Sequence, residues 1–302
     1  METKDKTRLL IVIDANSLIH RAYHALPPLT TKGGELVNAV YGFFSIFLKA
    51  LRELNPDFVA TAFDLAAPTF RHQIFCHYKA KRKKPPEDFY RQIPKIKEIL
   101  NSFGIKIFEK QGFEADDVIG TIAMLAETKS PDLETVILSS DADVLQLVDA
   151  KTKVLILKKG VSQTILYDEK GVQEKYQGLT PRQLIDFKAL RGDPSDNIPG
   201  VFGIGEKTAA ELINRFKSLE NLYSSLDQEE ARKSLKESLL SKLVNQREEA
   251  FLSKKLAEIC RDIDLNFDLE SCSWKGYDRD GVTKIFKNLG FFSLLAKLPE
   301  DN

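Results

Sequence analysis

The stretch Leu9-Leu10-Ile11-Val12-Ile13-Asp14 is a continuous apolar run that stops at an acid. Such a run, rich in β-branched residues, is typical of a strand that is buried on both faces of a parallel sheet. The pattern recurs at Phe58–Phe63, before Asp64, and at Thr135–Leu138, before Ser139-Ser140-Asp141. Repeated buried strands that end at acids predict an α/β fold with a central, mostly parallel sheet.

Segments with helical spacing separate these strands, so we expect helices on both faces of the sheet. The predicted helices are Ala15–Leu26, Asn38–Leu54, Glu87–Phe103, Val118–Ala126 and one that begins at Val144. Further strands are predicted at Ile105–Phe108, Thr152–Leu157 and Val161–Tyr167. After Thr180-Pro181 the chain reads as helical through Leu256, with a final helical pair over Asp280–Leu298. These patterns predict an α/β domain over 1–178 and a helical region over 179–302.

Acidic side chains gather where the predicted strands and helices meet. In open parallel sheets, ligands bind outside the carboxyl ends of the strands. The helix dipole explains one or two acids at the start of the helix near Val118, at roughly 0.3–1 kcal/mol each, but not a larger group. The acids expected to converge on one cleft are Asp14, Asp64, Glu114, Asp116, Asp117, Asp141, Asp143, Asp193 and Asp196. Because so many carboxylates would repel one another, they predict bound divalent cations, and all-oxygen ligands suit Mg²⁺ or Mn²⁺.

A basic segment without any acid runs from Arg71 to Lys84. A run of charge is usually a solvated face, but aromatic residues are interleaved with the cations here, as in proteins that bind single-stranded nucleic acid. Pro85-Pro86 interrupts the segment, which we interpret as an excursion over the domain. The pattern favours contact with nucleic acid.

Gly203-Ile204-Gly205 precedes an apolar helix that starts near Glu206. Glycines can reach positive φ and let the backbone approach a ligand, and a helix N-terminus favours anions. Lys207 and Thr208 add a charge and a hydroxyl. A bare glycine turn that only caps a helix is the simpler alternative, but two acids lie just upstream. A phosphate clamp beside a metal-binding pair suits a phosphodiester substrate.

Composition narrows the function further. Lys plus Arg and Asp plus Glu number 44 each, so no global charge indicates a nucleic-acid partner. The three cysteines form no CxxC pair, which favours a reducing compartment. All four histidines precede residue 80, and no Ser-His-Asp set can be assembled from them. Met1–Lys6 is charged and a short apolar run follows it, so we expect no signal peptide, no membrane span and an intracellular protein.

Several specific motifs resemble those of the 5′-nuclease family. They are Phe63-Asp64 followed by Ala67-Pro68-Thr69-Phe70-Arg71, then Tyr78-Lys79, Glu114-Ala115-Asp116-Asp117, Asp141-x-Asp143, and the run from Gly192-Asp193 to Ala209. The resemblance extends from Asp14 to about Leu298 and is closest to the 5′→3′ exonuclease domain of bacterial DNA polymerase I. Flap endonucleases and phage 5′ nucleases are more distantly similar. The resemblance implies a PIN-like sheet followed by a helical region with a helix-three-turn-helix.

The resemblance also implies roles for individual residues. Asp14, Asp64, Glu114 and Asp116 would hold a first metal, and Asp141, Asp143 and Asp193 a second, with Asp117 and Asp196 as outer members. The residues implied to orient the scissile phosphate are Arg21, Arg71, Lys79 and Arg82. Those implied to contact DNA are Tyr23 and Tyr78 by stacking, Lys81 and Lys83 in a helical arch over about 71–100, and Gly203, Gly205, Lys207 and Thr208 in a hairpin over 200–210 that also binds K⁺.

The activity that the resemblance implies is two-metal, Mg²⁺-dependent hydrolysis of DNA near a 5′ end, nick or flap junction, in replication and repair. Mn²⁺ would substitute, RNA-primed 5′ ends would be further substrates, and the protein would act as a monomer in the cytoplasm at the nucleoid. Ala15 and Ala142 stand where relatives often have Gly and Lys. The chain stops where polymerase I would continue, so a separate exonuclease and a piece of a polymerase are both open. Rival interpretations are a non-catalytic DNA binder and a PIN-type ribonuclease.

Overall fold

The computed structural model describes residues 8–300, except for the side chains at positions 159 and 231. Met1–Lys6, the segment predicted to carry no signal peptide, lies outside these residues. No helix in the described part of the chain is both long enough and apolar enough to cross a membrane.

A six-stranded sheet forms the centre of the molecule, with strand order β3-β2-β1-β4-β5-β6. Strands β1 to β5 pair in parallel, and β6 pairs with β5 in antiparallel orientation. The predicted fold class, a mostly parallel sheet with helices on both faces, is confirmed. The strands are β1 Arg8–Asp14, β2 Phe58–Ala62, β3 Lys106–Phe108, β4 Leu133–Ser139, β5 Thr152–Lys159 and β6 Gln163–Tyr167.

Alternating residues of the buried strands belong to two separate cores. Leu10 and Val12 of β1 face a core that α6 covers, whereas Ile11 and Ile13 face a core that α1, α2 and α5 cover. All four side chains are essentially inaccessible to solvent. The two-sided burial explains why the strand sequences are continuous apolar runs.

Fifteen α-helices and two 3₁₀ segments occur among the described residues. In chain order the α-helices are α1 Ala15–Ala25, α2 Asn38–Leu54, α3 Phe70–Ile74, α4 Glu87–Tyr90, α5 Ile93–Ser102, α6 Ala115–Lys129, α7 Glu169–Lys175, α8 Gln183–Arg191, α9 Glu206–Phe216, α10 Leu219–Ser225, α11 Glu229–Lys233, α12 Glu237–Asn245, α13 Arg247–Ala257, α14 Arg279–Leu289 and α15 Phe292–Leu295. The 3₁₀ segments are Asp143–Leu147 and Glu270–Cys272.

The helix predicted over Glu87–Phe103 is divided into α4 and α5. Pro94 lies in the first turn of α5 and lacks the N–H that a continuous helix would need there. Gln92, at the break, accepts hydrogen bonds through Oε1 from the backbone N–H of Ala39, at 2.8 Å, and of Val40. The break therefore lets Gln92 cap the start of α2.

The last part of the chain returns to the sheet. Val282, Phe286 and Leu289 of α14 pack in the same core as α2 and α5. The Trp274 N–H donates to the Asp57 carbonyl at 2.8 Å, next to the start of β2. The division at residues 178 and 179 stays a prediction, and the packing shows that residues from about 259 onward are also part of the two cores that flank the sheet.

Candidate active site

The carboxyl ends of three adjacent strands bring acids to one edge of the sheet. Asp14 is the last residue of β1, Asp64 follows β2, and Asp141 follows β4. Because β2, β1 and β4 are neighbours, the three side chains line a common cleft of about 480 Å³. Glu114 and Asp116, at the start of α6, line the same cleft.

Asp14 is held in place by its own helix and by β4. Its carboxylate accepts from the Ser17 N–H at 3.1 Å and from Ser139 Oγ at 2.6 Å. The Asp141 N–H donates to the same Ser139 Oγ at 2.9 Å. Ser139 therefore forms hydrogen bonds with two acidic residues that follow different strands. The sequence pattern did not predict this role.

Asp14 and Asp116 carry unfavourable negative charge. Burial is the largest cause that raises the pKa of Asp14 to about 6, and the nearby Asp141 adds to it. Burial also raises the pKa of Asp116 well above its ordinary value, together with the charges of Asp14, Asp141 and Glu114. Neither group pairs with a cation among residues 8–300. Charge of this kind is what a bound divalent cation would neutralise.

Asp64 lies at the mouth of the cleft beside α6. Its N–H donates to Asn16 Oδ1 at 3.0 Å, and its Oδ1 accepts from the Ala115 N–H at 2.7 Å. Burial raises the pKa of Asp64, and the hydrogen bond from Ala115 opposes that shift. The first turn of α6 thus positions Asp64 and Glu114 on the same side of the cleft.

Cations from the basic segment enter the cleft directly. Lys79 Nζ is 2.6 Å from Glu114 Oε1 and 3.8 Å from Asp196 Oδ2. Arg82 forms an ion pair with Asp196. Lys79 has a left-handed backbone, with φ of 55°, and its N–H donates to the Asp196 carbonyl. The structure therefore brings two of the predicted phosphate-orienting residues to the predicted acids.

Arg71 and Asp117 differ from their predicted roles. Arg71 donates from Nη1 and Nη2 to the two oxygens of Asp117 at 2.7 and 2.8 Å, and also to the carbonyls of Leu256 and Glu258. Asp117 is fully buried and also accepts from the N–H groups of Glu114 and Cys260. With both groups committed in this way, Arg71 is not free to bind a phosphate and Asp117 is not free to bind a metal. Their pair fixes α3 and the segment after α13 to the start of α6.

Tyr78 is a second correction. It was predicted to stack on a terminal base, but its side chain is buried. Its hydroxyl lies 3.1 Å from Glu114 Oε2 and 3.2 Å from Asp196 Oδ2. The buried ring supports the floor of the cleft, so it presents no face on which a base could stack.

The predicted helical arch over 71–100 is not a continuous helix. Residues 75–86 form turns and irregular structure between the short helices α3 and α4. Lys81 and Lys83 are exposed on this segment, and Lys83 lines the cleft. Tyr23 is half-buried on α1 and packs edge-to-face on Phe89, and Arg21 donates to the Leu157 carbonyl at 3.4 Å. Arg21 and Tyr23 do not line the cleft in this conformation.

A second acidic group lies beside the cleft. Lys188 of α8 forms ion pairs with Asp143 and Asp193, and its Nζ is 2.8 Å from Asp193 Oδ2. Burial raises the pKa of Asp143 to about 6, and Lys188 opposes the shift. Burial also opposes the charge on Asp193, but Lys188 and hydrogen bonds from Ser195 outweigh it and lower the pKa of Asp193. Sequence reasoning missed Lys188, whose only signal was its position in the helix just before the Gly192-Asp193 turn.

The glycine hairpin lies before α9 as predicted, but its two glycines differ. Gly203 has φ of 82°, whereas Gly205 has φ of −94° and serves as the N-cap of α9. The positive φ expected for the hairpin therefore applies to Gly203 alone of the pair. A Cβ on Gly205 would meet no atom within 4 Å. Lys207 is exposed and Thr208 half-buried in the first turn of α9.

The chemistry of the cleft fits hard divalent cations, although its side chains are not arranged as finished ligand sets. Within residues 8–300, no three carboxylate, histidine or cysteine side chains stand where they could hold a metal ion as they are. Several of the predicted ligands are instead held in ion pairs: Lys79 engages Glu114, Arg82 engages Asp196, and Lys188 engages Asp143 and Asp193. The donor set is nonetheless all oxygen, which suits Mg²⁺ or Mn²⁺ better than Zn²⁺.

Comparison with solved structures identifies the fold. The structure of T5 5′-exonuclease with bound zinc aligns with a TM-score of 0.69 at 20% identity, over 95% of this chain and 100% of that chain. The catalytic core of Rad2 in complex with DNA substrate aligns with a TM-score of 0.62 at 18% identity, over 97% of this chain and 93% of that chain. The parallel sheet with carboxylates at its carboxyl edge thus has the fold of a PIN-like nuclease.

Sequence comparison identifies the particular family. Residues 9–177 match the family model of the 5′-3′ exonuclease N-terminal resolvase-like domain, and residues 179–280 match that of the 5′-3′ exonuclease C-terminal SAM fold. The chain belongs to the 5′-3′ exonuclease family. DNA polymerase I of Bacillus subtilis is 44% identical over 97% of this chain, and that of Bacillus caldotenax is 43% identical over 96%. The chain spans about a third of the length of these relatives, 32% in both.

Proposed function

We propose that the chain is a divalent-metal-dependent, structure-specific 5′ nuclease that acts as a 5′→3′ exonuclease and flap endonuclease on DNA. The observation that carries the proposal is the group formed by Asp14, Asp116 and Asp141. These carboxylates converge on one cleft without a cationic partner among the described residues, and the cations of Lys79 and Arg82 lie beside them. The unpaired carboxylates would bind metal ions, and the lysine and arginine beside them would bind a phosphate. This combination suits a phosphodiester substrate with bound metal.

Two metal positions follow from the two acidic groups. Asp14, Asp64, Glu114 and Asp116 would hold one ion, and Asp141, Asp143 and Asp193 would hold the other. Asp196 is an outer member that holds Lys79 and Arg82. When bound, the two ions would supply activation of a water and stabilisation of the leaving oxygen. We favour Mg²⁺, with Mn²⁺ as a substitute.

The residues of the chain supply binding and orientation. Lys79 and Arg82 can turn from Glu114 and Asp196 to the phosphate that enters the cleft, because both side chains are long and partly accessible. The buried Arg71 acts on catalysis only by fixing the start of α6, and with it Glu114. Hydrolysis at the 5′ side would leave a 5′-phosphate and a 3′-hydroxyl.

Duplex and single-stranded DNA would use separate surfaces. The N-terminus of α9, with Gly203, Gly205, Lys207 and Thr208, supplies backbone donors and a cation for duplex phosphates, and a K⁺ ion there would complete the clamp. Lys81 and Lys83 extend the positive charge of the cleft toward a 5′ strand. Arg21 and Tyr23, which lie on α1 outside the cleft, stay predicted DNA contacts.

The biological setting is part of the proposal. Substrates would be 5′ flaps, nicks, 5′ ends and RNA-primed ends in Okazaki-fragment processing and repair, with the chain acting as a monomer in the cytoplasm at the nucleoid. Fusion to a DNA polymerase is consistent with the relatives that the chain matches. T5 D15 was crystallised with DNA and metal ions, which supports DNA as the substrate here.

Cleavage of an end-labelled 5′-flap duplex tests this function. We expect one defined product near the junction with Mg²⁺ and none with Ca²⁺ or EDTA. Asp14→Ala and Asp141→Ala should each lower the rate by at least about 10²-fold while flap binding in Ca²⁺ is kept. Asp264→Ala, a fully exposed acid outside the cleft, is the control and should cleave normally. Binding without cleavage by the unaltered chain would favour a non-catalytic DNA binder, and selective cleavage of RNA arms would favour a ribonuclease.

A further inference from the structure

Lys188 occupies the position between two acids that the proposed function assigns to the second metal. Its Nζ is 2.8 Å from Asp193 Oδ2 and also pairs with Asp143 Oδ2. The Lys188 side chain is only 13% exposed. An ammonium this well enclosed, held by two carboxylates that come from different segments, is a defined cation position.

The oxygens that face Lys188 have no other described cation. Asp193 Oδ1 is already taken by the N–H of Ser195, at 2.9 Å, and by its Oγ, at 2.7 Å. Asp193 Oδ2 is therefore the oxygen of Asp193 that remains for an ion, and it faces the ammonium, as does Asp143 Oδ2. A metal and the Lys188 ammonium cannot take the same two oxygens at the same time.

We propose that Lys188 is a resident cation of the second metal site, which metal must displace before it can bind to Asp143 and Asp193. The inference rests on the proposed function for the identity of the site and goes beyond it by giving the two metals unequal affinities. In the first group, Asp14, Asp64, Glu114 and Asp116, Lys79 pairs with Glu114 alone, and no described cation bridges two of the four acids. This group should load first, and the second site should load only as the ammonium leaves.

The structure also provides a place for the displaced side chain. A cavity of about 420 Å³ adjoins Lys188 and is lined by Tyr176, Phe187 and Ser195 among others. A lysine stem is flexible, and aromatic faces accept an ammonium. Arg191 lines the same cavity and opposes a second positive charge there. The inference therefore requires the ammonium, with its proton kept, to move to a part of this cavity away from Arg191 and to return when the metal leaves.

Calorimetric titration of the whole chain with Mn²⁺, without DNA, tests the inference. Lys188→Met removes the charge and keeps most of the stem. We expect the second Mn²⁺ to bind at least about tenfold more tightly in this variant, because no ammonium then competes for the two carboxylate oxygens, and the first to bind within about twofold of normal. Lys254→Met is the matched control, since Lys254 also bridges two carboxylates, Asp186 and Glu220, neither of which is assigned to a metal.

Lys188→Gln is a second variant for the case in which methionine beside two buried acids prevents folding. Its amide can still donate to Asp193, and we expect the same gain in affinity for the second ion. Unchanged or weaker binding of the second ion in a folded Lys188 variant would overturn the inference and make Lys188 a residue that only positions Asp193.

Asp193→Asn separates this result from failure of the proposed function. If the second site is assigned correctly, the variant loses the second Mn²⁺ and keeps the first. If two ions still bind with normal affinity, the metal assignment itself is wrong. If the second ion is lost but Lys188 variants bind it normally, only the role of Lys188 is wrong.

Discussion

At the scale of single residues, burial makes the ionisation of the cleft acids costly. Asp14 is almost completely buried, accepts two hydrogen bonds at its carboxylate and has no ion-pair partner among residues 8–300. Burial, with help from Asp141, raises the pKa of Asp14 from 3.8 to about 6. A carboxyl group with a raised pKa binds its proton more tightly in the folded state than in the unfolded chain. Its ionisation therefore destabilises the metal-free fold.

Asp14→Asn should stabilise the metal-free chain at neutral pH. In the unaltered chain this group lowers the free energy of unfolding as pH rises from about 4 through about 6, because the folded state holds the proton longer. The variant escapes this loss and should be more stable by up to about 3 kcal/mol above that range, with no difference below about pH 4. Urea unfolding in EDTA at both pH values measures this. An equal difference at the two pH values would contradict the shifted pKa.

The same scale shows where prediction from sequence failed. Arg71 and Tyr78 lie in a run of cations and aromatics that resembles a DNA-binding surface. Their partners, Asp117, Asp196 and the Leu256 carbonyl, are distant in sequence, and only the tertiary fold brings them close. The segment therefore contains both exposed and buried residues, and its composition does not distinguish them. Lys81 and Lys83 are exposed, whereas Arg71 and Tyr78 are structural.

At the scale of elements, the two glycines of the hairpin before α9 allow an effect on folding to be distinguished from an effect on DNA binding. Gly203 needs its glycine for conformation, since its φ of 82° lies in the left-handed region that other residues rarely adopt. The fold does not require glycine at position 205, because the φ of Gly205 is negative and the space around it is open. If Gly205 is required, its requirement must come from a ligand that approaches the N-terminus of α9.

Gly205→Val should weaken binding to duplex DNA while leaving the fold intact. We expect about a tenfold loss of affinity, since a branched side chain would hold a phosphate away from the backbone donors, and a change in stability of less than about 0.5 kcal/mol. Gly203→Ala is the contrasting variant and should destabilise the fold by about 1 kcal/mol. Fluorescence anisotropy with a blunt duplex and thermal unfolding are the two measurements. Normal affinity in the valine variant would make the hairpin an ordinary turn.

At the scale of the whole molecule, the C-terminal helices complete the core that faces α1 and α2. The ring of Phe286 lies 5.8 Å from that of Phe44 and 5.9 Å from that of Phe291. Phe286 is fully buried, whereas Phe292, in the next helix, is 64% exposed. Two phenylalanines close in sequence therefore have different roles in stability.

Phe286→Ala should lower the free energy of unfolding by about 3–5 kcal/mol, because it leaves a cavity between α2 and α14. Phe292→Ala should change it by less than about 0.5 kcal/mol. Chemical denaturation followed by tryptophan fluorescence measures both, since Trp274 packs near the same core. Equal effects of the two substitutions would show that α14 is not part of the cooperative unit.

Much of the fold follows from sequence because its signals are local. The buried strands are apolar runs, and the acids that follow them come together because parallel strands end at the same edge. The break between α4 and α5 was missed because Gln92 caps a helix about fifty residues earlier in the chain, at Ala39. The lysine between Asp143 and Asp193 was missed because nothing in α8 indicates what its side chain faces. Pairings across the chain are the part that sequence patterns do not contain.

The return of the C-terminal segment to the sheet has a consequence for synthesis on the ribosome. One core contains residues from Leu10 to Cys272, and the other contains residues from Ile11 to Leu298. A nascent polypeptide that has released only the first half of this chain can pair its strands but leaves both sheet faces incompletely covered. We therefore expect the growing polypeptide to need protection from aggregation until α14 and α15 emerge, and the native state to form only after translation of this region ends.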